Sequence, residues 1–206
     1  MTRKEEFLLR KALILLSSAA LAFLTMVPAE AQNVVPNADF NSTDVSNWNP
    51  PINFVISYDA LDAFGSPTSG SARLANNSPT SFNSGGSYCL GTVTGGGSYD
   101  FGAMARVPSG QTGSGFVSVA VYWYQNNCNG TLSTITPASF STSVPGFDTW
   151  SALSKSVTAP ADATKAVMYL FVNMTTDGTN LQAYFDRIYF GPPGTMPVSL
   201  QHFRAE

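Results

Sequence analysis

After residue 31 the chain alternates apolar and polar residues with a period of two almost throughout. Asn53–Ser57, Ala72–Ala75, Tyr99–Val107, Phe116–Tyr124, Ser151–Val157, Lys165–Met174 and Gln182–Phe190 each read as a strand. Gly65-Ser66-Pro67, Gly85-Gly86, Gly95-Gly96-Gly97, Pro108-Ser109-Gly110, Pro145-Gly146 and Thr176-Asp177-Gly178 punctuate them as turns. No amphipathic helix follows residue 31, and strands without intervening helical patterns predict an all-β, two-sheet antiparallel β-sandwich rather than an α/β sheet.

The same alternation assigns faces. In Phe116–Tyr124, Val117, Val119, Val121 and Trp123 share a core face, leaving Ser118, Ala120, Tyr122 and Tyr124 opposite. In Lys165–Met174 the apolar face is Ala166, Met168, Leu170 and Val172, with Val167, Tyr169, Phe171 and Asn173 opposite. In Tyr99–Val107 the non-core face carries Asp100, Met104 and Arg106. If these three strands belong to one sheet, Asp100, Arg106, Tyr122, Tyr124, Tyr169 and Asn173 line a shallow surface of rings and hydrogen-bonding heads. Sugars present apolar CH faces to rings and hydroxyls to polar side chains, so such a surface suits a poly- or oligosaccharide. The competing expectation is that the tyrosines only cover sheet edges.

Residues 1–31 change the picture of compartment. A basic start (Arg3, Lys4, Arg10, Lys11), an apolar run from Ala12 to Val27 and Ala29-Glu30-Ala31 read as a signal peptide cleaved after Ala31. The expected organisation is therefore a leader at 1–31, one domain at 32–190, and a Pro/Gly linker with a short tail at 191–206. No later stretch is apolar enough to span a bilayer, and the expected location is secreted, periplasmic or at the cell surface. Without the leader, six basic and ten acidic residues remain, a net charge of −4. The cations are scattered, which argues against a nucleic-acid partner. An even cysteine count in an exported chain predicts a Cys89–Cys128 disulfide.

Catalytic chemistry finds little material. The one histidine, His202, lies in the tail, so no Ser-His-Asp or Cys-His set is expected inside the domain. Glycoside hydrolysis needs a carboxylate pair, and the sole Glu outside the leader is Glu206. Asp59 and Asp62, beside Tyr58, form the nearest cluster and read as a solvated loop. The expected protein is a non-catalytic, monomeric binder.

Asn33, Asn37, Phe40 and Trp48 near the start, and Phe185-Asp186 in the closing strand, resemble secreted carbohydrate-binding modules of the CenC type. Tyr88-Cys89-Leu90, Ser98-Tyr99-Asp100-Phe101 and Thr149-Trp150-Ser151 extend the likeness over Asn33–Phe190. The resemblance implies a galactose-binding-like jelly roll and a structural Ca²⁺ where first and last strands meet, with Asp39, Asn41 and Asp186 as ligands. Two departures stand out: Asn41 replaces a usual Glu, and Arg187 a usual second Asp. The rival expectation is a surface structural or adhesive protein that has lost sugar recognition.

Overall fold

A computed structural model of the protein describes residues 32–48, 54–77, 85–113, 115–142, 148–175 and 180–195. The leader, the turns at Pro145-Gly146 and Thr176-Asp177-Gly178, Asn53 and the tail with His202 lie outside the described residues. All described residues belong to one compact unit, Ala31–Glu206. Nine strands follow one another: β1 (Phe54–Asp59), β2 (Ser71–Asn76), β3 (Gly85–Thr92), β4 (Ser98–Arg106), β5 (Gly115–Tyr124), β6 (Leu132–Thr142), β7 (Ser151–Thr158), β8 (Lys165–Met174) and β9 (Leu181–Gly191).

They form two antiparallel sheets, ordered β1-β2-β9-β4-β7 and β3-β8-β5-β6. The sandwich predicted from the period-two pattern is thus the observed architecture. No helix of the described residues is long and apolar enough to cross a membrane. Two strands, β3 and β6, were not legible as such. β3 opens on Gly85-Gly86 and is interrupted by a bulge between Cys89 and Gly91, where Gly91 has φ 91°. β6 carries Pro137 and a Ser/Thr-rich pattern, which an edge strand tolerates.

The core lies between the sheets. Val117, Val119, Val121 and Trp123 of β5 and Ala166, Met168, Leu170 and Val172 of β8 are buried there, on the faces the alternation assigned. They meet Ala72, Leu74, Phe101, Ala103, Ala105, Leu153, Leu181, Ala183, Phe185, Ile188 and Phe190 from the other sheet. In β9 the inward set shifts phase, from Leu181, Ala183 and Phe185 to Ile188 and Phe190. The cause is an irregularity against β4, between Gly102 and Met104, where Arg187 adopts φ 50°. Asp186 still pairs with Met104, Arg187 and Ile188 fall at the irregularity, and Tyr189 turns outward to pack with Met104, Ala63 and Trp150 in a small second cluster.

The N-terminal segment runs along β9 rather than forming a strand. Val34 N–H donates to Phe190 O, Ile188 N–H donates to Ala38 O, and Asn33 bonds the backbone of Ile188 and Phe190 with its side-chain amide. This arrangement buries Phe40 and Trp48. The two stretches that carry the resemblance, from Asn33 onward and around Phe185-Asp186, are thus adjacent in space. At the far end Asp100 accepts hydrogen bonds from Ser156 Oγ at 2.6 Å and Gly194 N at 2.9 Å, pinning the turn after β9.

Candidate functional site

β5 and β8 are central neighbours of the four-stranded sheet, and their outward residues make one surface. Register sets Ala120 opposite Tyr169, Ser118 opposite Phe171 and Tyr122 opposite Val167. Small residues on β5, with Gly85 of β3 opposite Phe171, leave room for the rings between them. A Cβ at Gly85 would come within 2.8 Å of the Phe171 ring. Ser118 and Ala120 are correspondingly covered, at 4% and 2% exposure, although both point away from the core.

The rings form a continuous shelf. Tyr169 and Phe171 stack with centroids 5.3 Å apart and planes 5° from parallel; Tyr122 sits 4.3 Å from Tyr169 and 6.2 Å from Phe171. All of them, with Tyr124, remain half-buried, so part of each ring is open to solvent. Burial raises the Tyr122 and Tyr124 phenols above the usual range. Tyr124 is pushed up to about 12, with the neighbouring Tyr169 hydroxyl adding to the burial effect. The phenols are therefore neutral hydrogen-bonding heads throughout the physiological range.

Beyond Tyr122, β6 contributes Ile135 directly opposite it and Leu132 opposite Tyr124, exposed at 45% and 44%. Apart from Lys165 at the strand end, whose Nζ donates to Thr92 Oγ1, the described residues of this face carry no charge. The disulfide closes one margin. Cys89 lies opposite Val167 and joins Cys128, in the turn between β5 and β6, which covers Val167 to 5% exposure. The expected Cys89–Cys128 pairing is thus observed. Replacing both cysteines by Ser should lower stability by roughly 3 to 4 kcal/mol through the entropy of the loop of about 40 residues. Urea unfolding would read this as a lower midpoint, with a larger m-value because the unlinked unfolded chain exposes more surface, and an unmoved midpoint would refute it.

Of the six expected surface residues, the structure brings together Tyr122, Tyr124 and Tyr169. Asn173 shares their face but is 3% exposed, at the end beyond Phe171. Asp100 and Arg106 do not join them, because β4 pairs with β7 and β9 in the other sheet. The premise that three strands shared a sheet is corrected here: alternation fixes a face and says nothing of the sheet. Arg106 instead donates to Asp148 O, pairs with its carboxylate at 3.2 Å and lies over the Tyr184 ring. Hydrogen bonds from Ser109, and then Arg106, hold the Asp148 carboxyl below its usual range. Phe171 and Ile135 were missed. Phe171 shared the parity of Tyr169, whereas Ile135 lay in a strand hidden by Ser, Thr and Pro.

The expected calcium ligands are placed as follows. Asp39 Oδ2 pairs with Arg187 Nη1 at 3.2 Å, and Asn41 is exposed. Asp186 is fully buried, its two oxygens accepting the N–H groups of Arg187 and Ala63 at 2.7 and 2.9 Å. Burial raises its carboxyl to about 7, against the opposing effect of those two bonds. Asp62, expected in a solvated loop, is instead 8% exposed and organises residues 62–69. It accepts from Phe64 N, Ser66 N and Ser69 Oγ. Burial alone would raise this carboxyl, but the Ser69, Ser66 and Phe64 bonds and the charge of Arg187 together hold it below its usual range. Among the described residues no three His, Cys, Asp or Glu side chains gather in a metal-holding group.

Solved structures share this architecture. The CBM22-1 xylan-binding domain from Paenibacillus barcinonensis matches with TM-score 0.57 and 12% identity over 78% of this chain and 94% of its own. A further xylan-binding domain of CBM 22 matches with TM-score 0.54 and 21% identity, over 77% and 95%. The enzymatically active domain of bacteriophage CBA120 tailspike protein 4 matches with TM-score 0.58 and 12% identity over 77% of this chain, which spans only 21% of that longer chain. No protein-family model and no curated protein matches the sequence. The fold is a two-sheet antiparallel β-sandwich shared with these carbohydrate-binding modules. Both of these domains are matched over nearly their full length.

Proposed function

We propose that this protein is an extracellular, non-catalytic carbohydrate-binding module that holds a neutral poly- or oligosaccharide on the Tyr122–Tyr169–Phe171 shelf. The observation that carries the reading is the pair of nearly parallel, stacked rings, Tyr169 and Phe171, opposite small residues of β5 and flanked by Tyr122. Such rings offer flat apolar faces to the CH faces of pyranose sugars, and the hydroxyls of Tyr122, Tyr124 and Tyr169 take the hydrogen bonds that orient them. Among the described residues this face carries no carboxylate or arginine, which suits a neutral chain better than a uronate-rich one. A disulfide and a carbohydrate-module fold both accord with an oxidising, extracellular setting.

The test is a panel of soluble oligosaccharides and insoluble polysaccharides, with saturation and competition by free sugar as the expected result. Exposed Ile135 and Leu132 beside the rings favour a second reading, a structural or adhesive surface protein that docks apolar protein surface there. Folded protein that binds no glycan on a broad panel would select that reading.

A further inference from the structure

We propose that Arg187 supplies, as a permanent part of the chain, the positive charge that joins the N-terminal segment, the 60–70 loop and β9, so that this junction holds without bound calcium. The side chain is put there by the backbone. The irregularity in β9 and the positive φ of Arg187 take it out of the strand alternation, a conformation that a non-glycine residue keeps only where its surroundings hold it.

Its surroundings come from three segments. Nη1 reaches Asp39 Oδ2 of the N-terminal turn at 3.2 Å, and the guanidinium lies over the Phe64 ring of the loop, 5.2 Å from its centroid. The carboxylates of Asp62 and Asp186 both feel its charge. The neighbouring Ile188 N–H donates to Ala38 O, and Ala63 N–H donates to Asp186, so the same three segments are also tied by backbone bonds.

Calcium requires six to eight oxygens around one point. Here the candidate oxygens are spent otherwise. Asp62 takes three donors and Asp186 two backbone N–H groups, while Asp39 faces a cation that would repel another. A planar guanidinium that pairs with a carboxylate and stacks on a ring does at this junction what a bound ion would do by coordination. Of the two departures from the resembled pattern, Asn41 and Arg187, it is Arg187 that brings a cation to the place where a metal ion was expected.

The experiment compares thermal unfolding of the purified protein and its variants in chelator and in millimolar Ca²⁺. Wild type is expected to melt at the same temperature in both, with no heat on calorimetric titration of Ca²⁺ into chelator-stripped protein. Arg187→Ala should melt about 3 to 8 °C lower in either buffer, since it loses a partly exposed ion pair and a cation–π contact. Arg187→Lys should fall between, keeping the charge but not the planar fork. Calcium that raises the wild-type melting temperature, or saturable Ca²⁺ heat, would overturn the proposal without reference to any variant. An Arg187→Ala protein as stable as wild type would overturn it equally.

Discussion

Replacing Tyr169 by Ala is expected to weaken glycan binding at least about 10-fold, and the Tyr122→Ala, Tyr169→Ala double variant to abolish it while the domain stays folded. The reasoning is local. Tyr169 contacts both Tyr122 and Phe171, so removing it deletes a stacking surface and also frees its two neighbours from the packing that orients them. Loss of a single well-packed aromatic contact amounts to roughly 0.5 to 1.5 kcal/mol beyond the area it covers. Adding the lost area brings the total above the 1.4 kcal/mol that corresponds to a tenfold change.

Folding should survive, because the core beneath consists of Val117, Val119, Val121, Met168 and Leu170, none of which changes. Affinity gel electrophoresis and calorimetry on the polysaccharide that binds wild type would read the effect, with circular dichroism confirming the fold. Unaltered binding in the double variant would remove the shelf from the reading and move the site to the loops. Asp100→Ala and Arg106→Ala serve as contrasts: both lie on the opposite sheet and should leave affinity within about twofold.

That contrast shows where sequence reading stops. Alternation placed Tyr122, Tyr124 and Tyr169 on outward faces, and all three are there, because a strand's period of two is a property of its own backbone. It could not tell that β5 and β8 are neighbours while β4 belongs to the other layer, since sheet membership is decided by long-range pairing. The shelf itself was only half legible. Ala120 and Ser118 read as unremarkable small residues until register set them opposite Tyr169 and Phe171. The irregularity at Arg187 and Ile188 left a trace in the pattern, a shift of the apolar phase between Phe185 and Ile188, yet the closing strand reads at first as one unbroken alternation. The Cys89–Cys128 bridge, by contrast, followed from compartment and parity alone.

Between about pH 4 and pH 7 the protein is expected to lose stability, and Asp186 is the reason. Its carboxyl is fully buried, and burial raises it from 3.8 to about 7 in the folded chain. In the unfolded chain the same group gives up its proton near 3.8. Through the intervening window the folded state therefore binds more protons, so each rise in pH favours unfolding. The full effect approaches about 4 kcal/mol for a difference of about three pH units, reached near pH 7 and constant above it.

Groups packed around Asp186 act in known directions. Asp62 raises the Asp186 carboxyl by repulsion, whereas Arg187 and the two backbone N–H groups lower it. Carboxyls held below the usual range, Asp44, Asp62 and Asp148, stabilise above pH 4 and lose that contribution only as pH falls further, outside this window. Denaturant unfolding at half-unit steps from pH 4 to pH 8, in chelator, gives the slope. The carbon-13 shift of the Asp186 carboxyl gives the midpoint directly. A carboxyl titrating near 4 together with a flat stability profile would show that the buried group is solvated in solution, and that the loop carrying Ala63 opens over it.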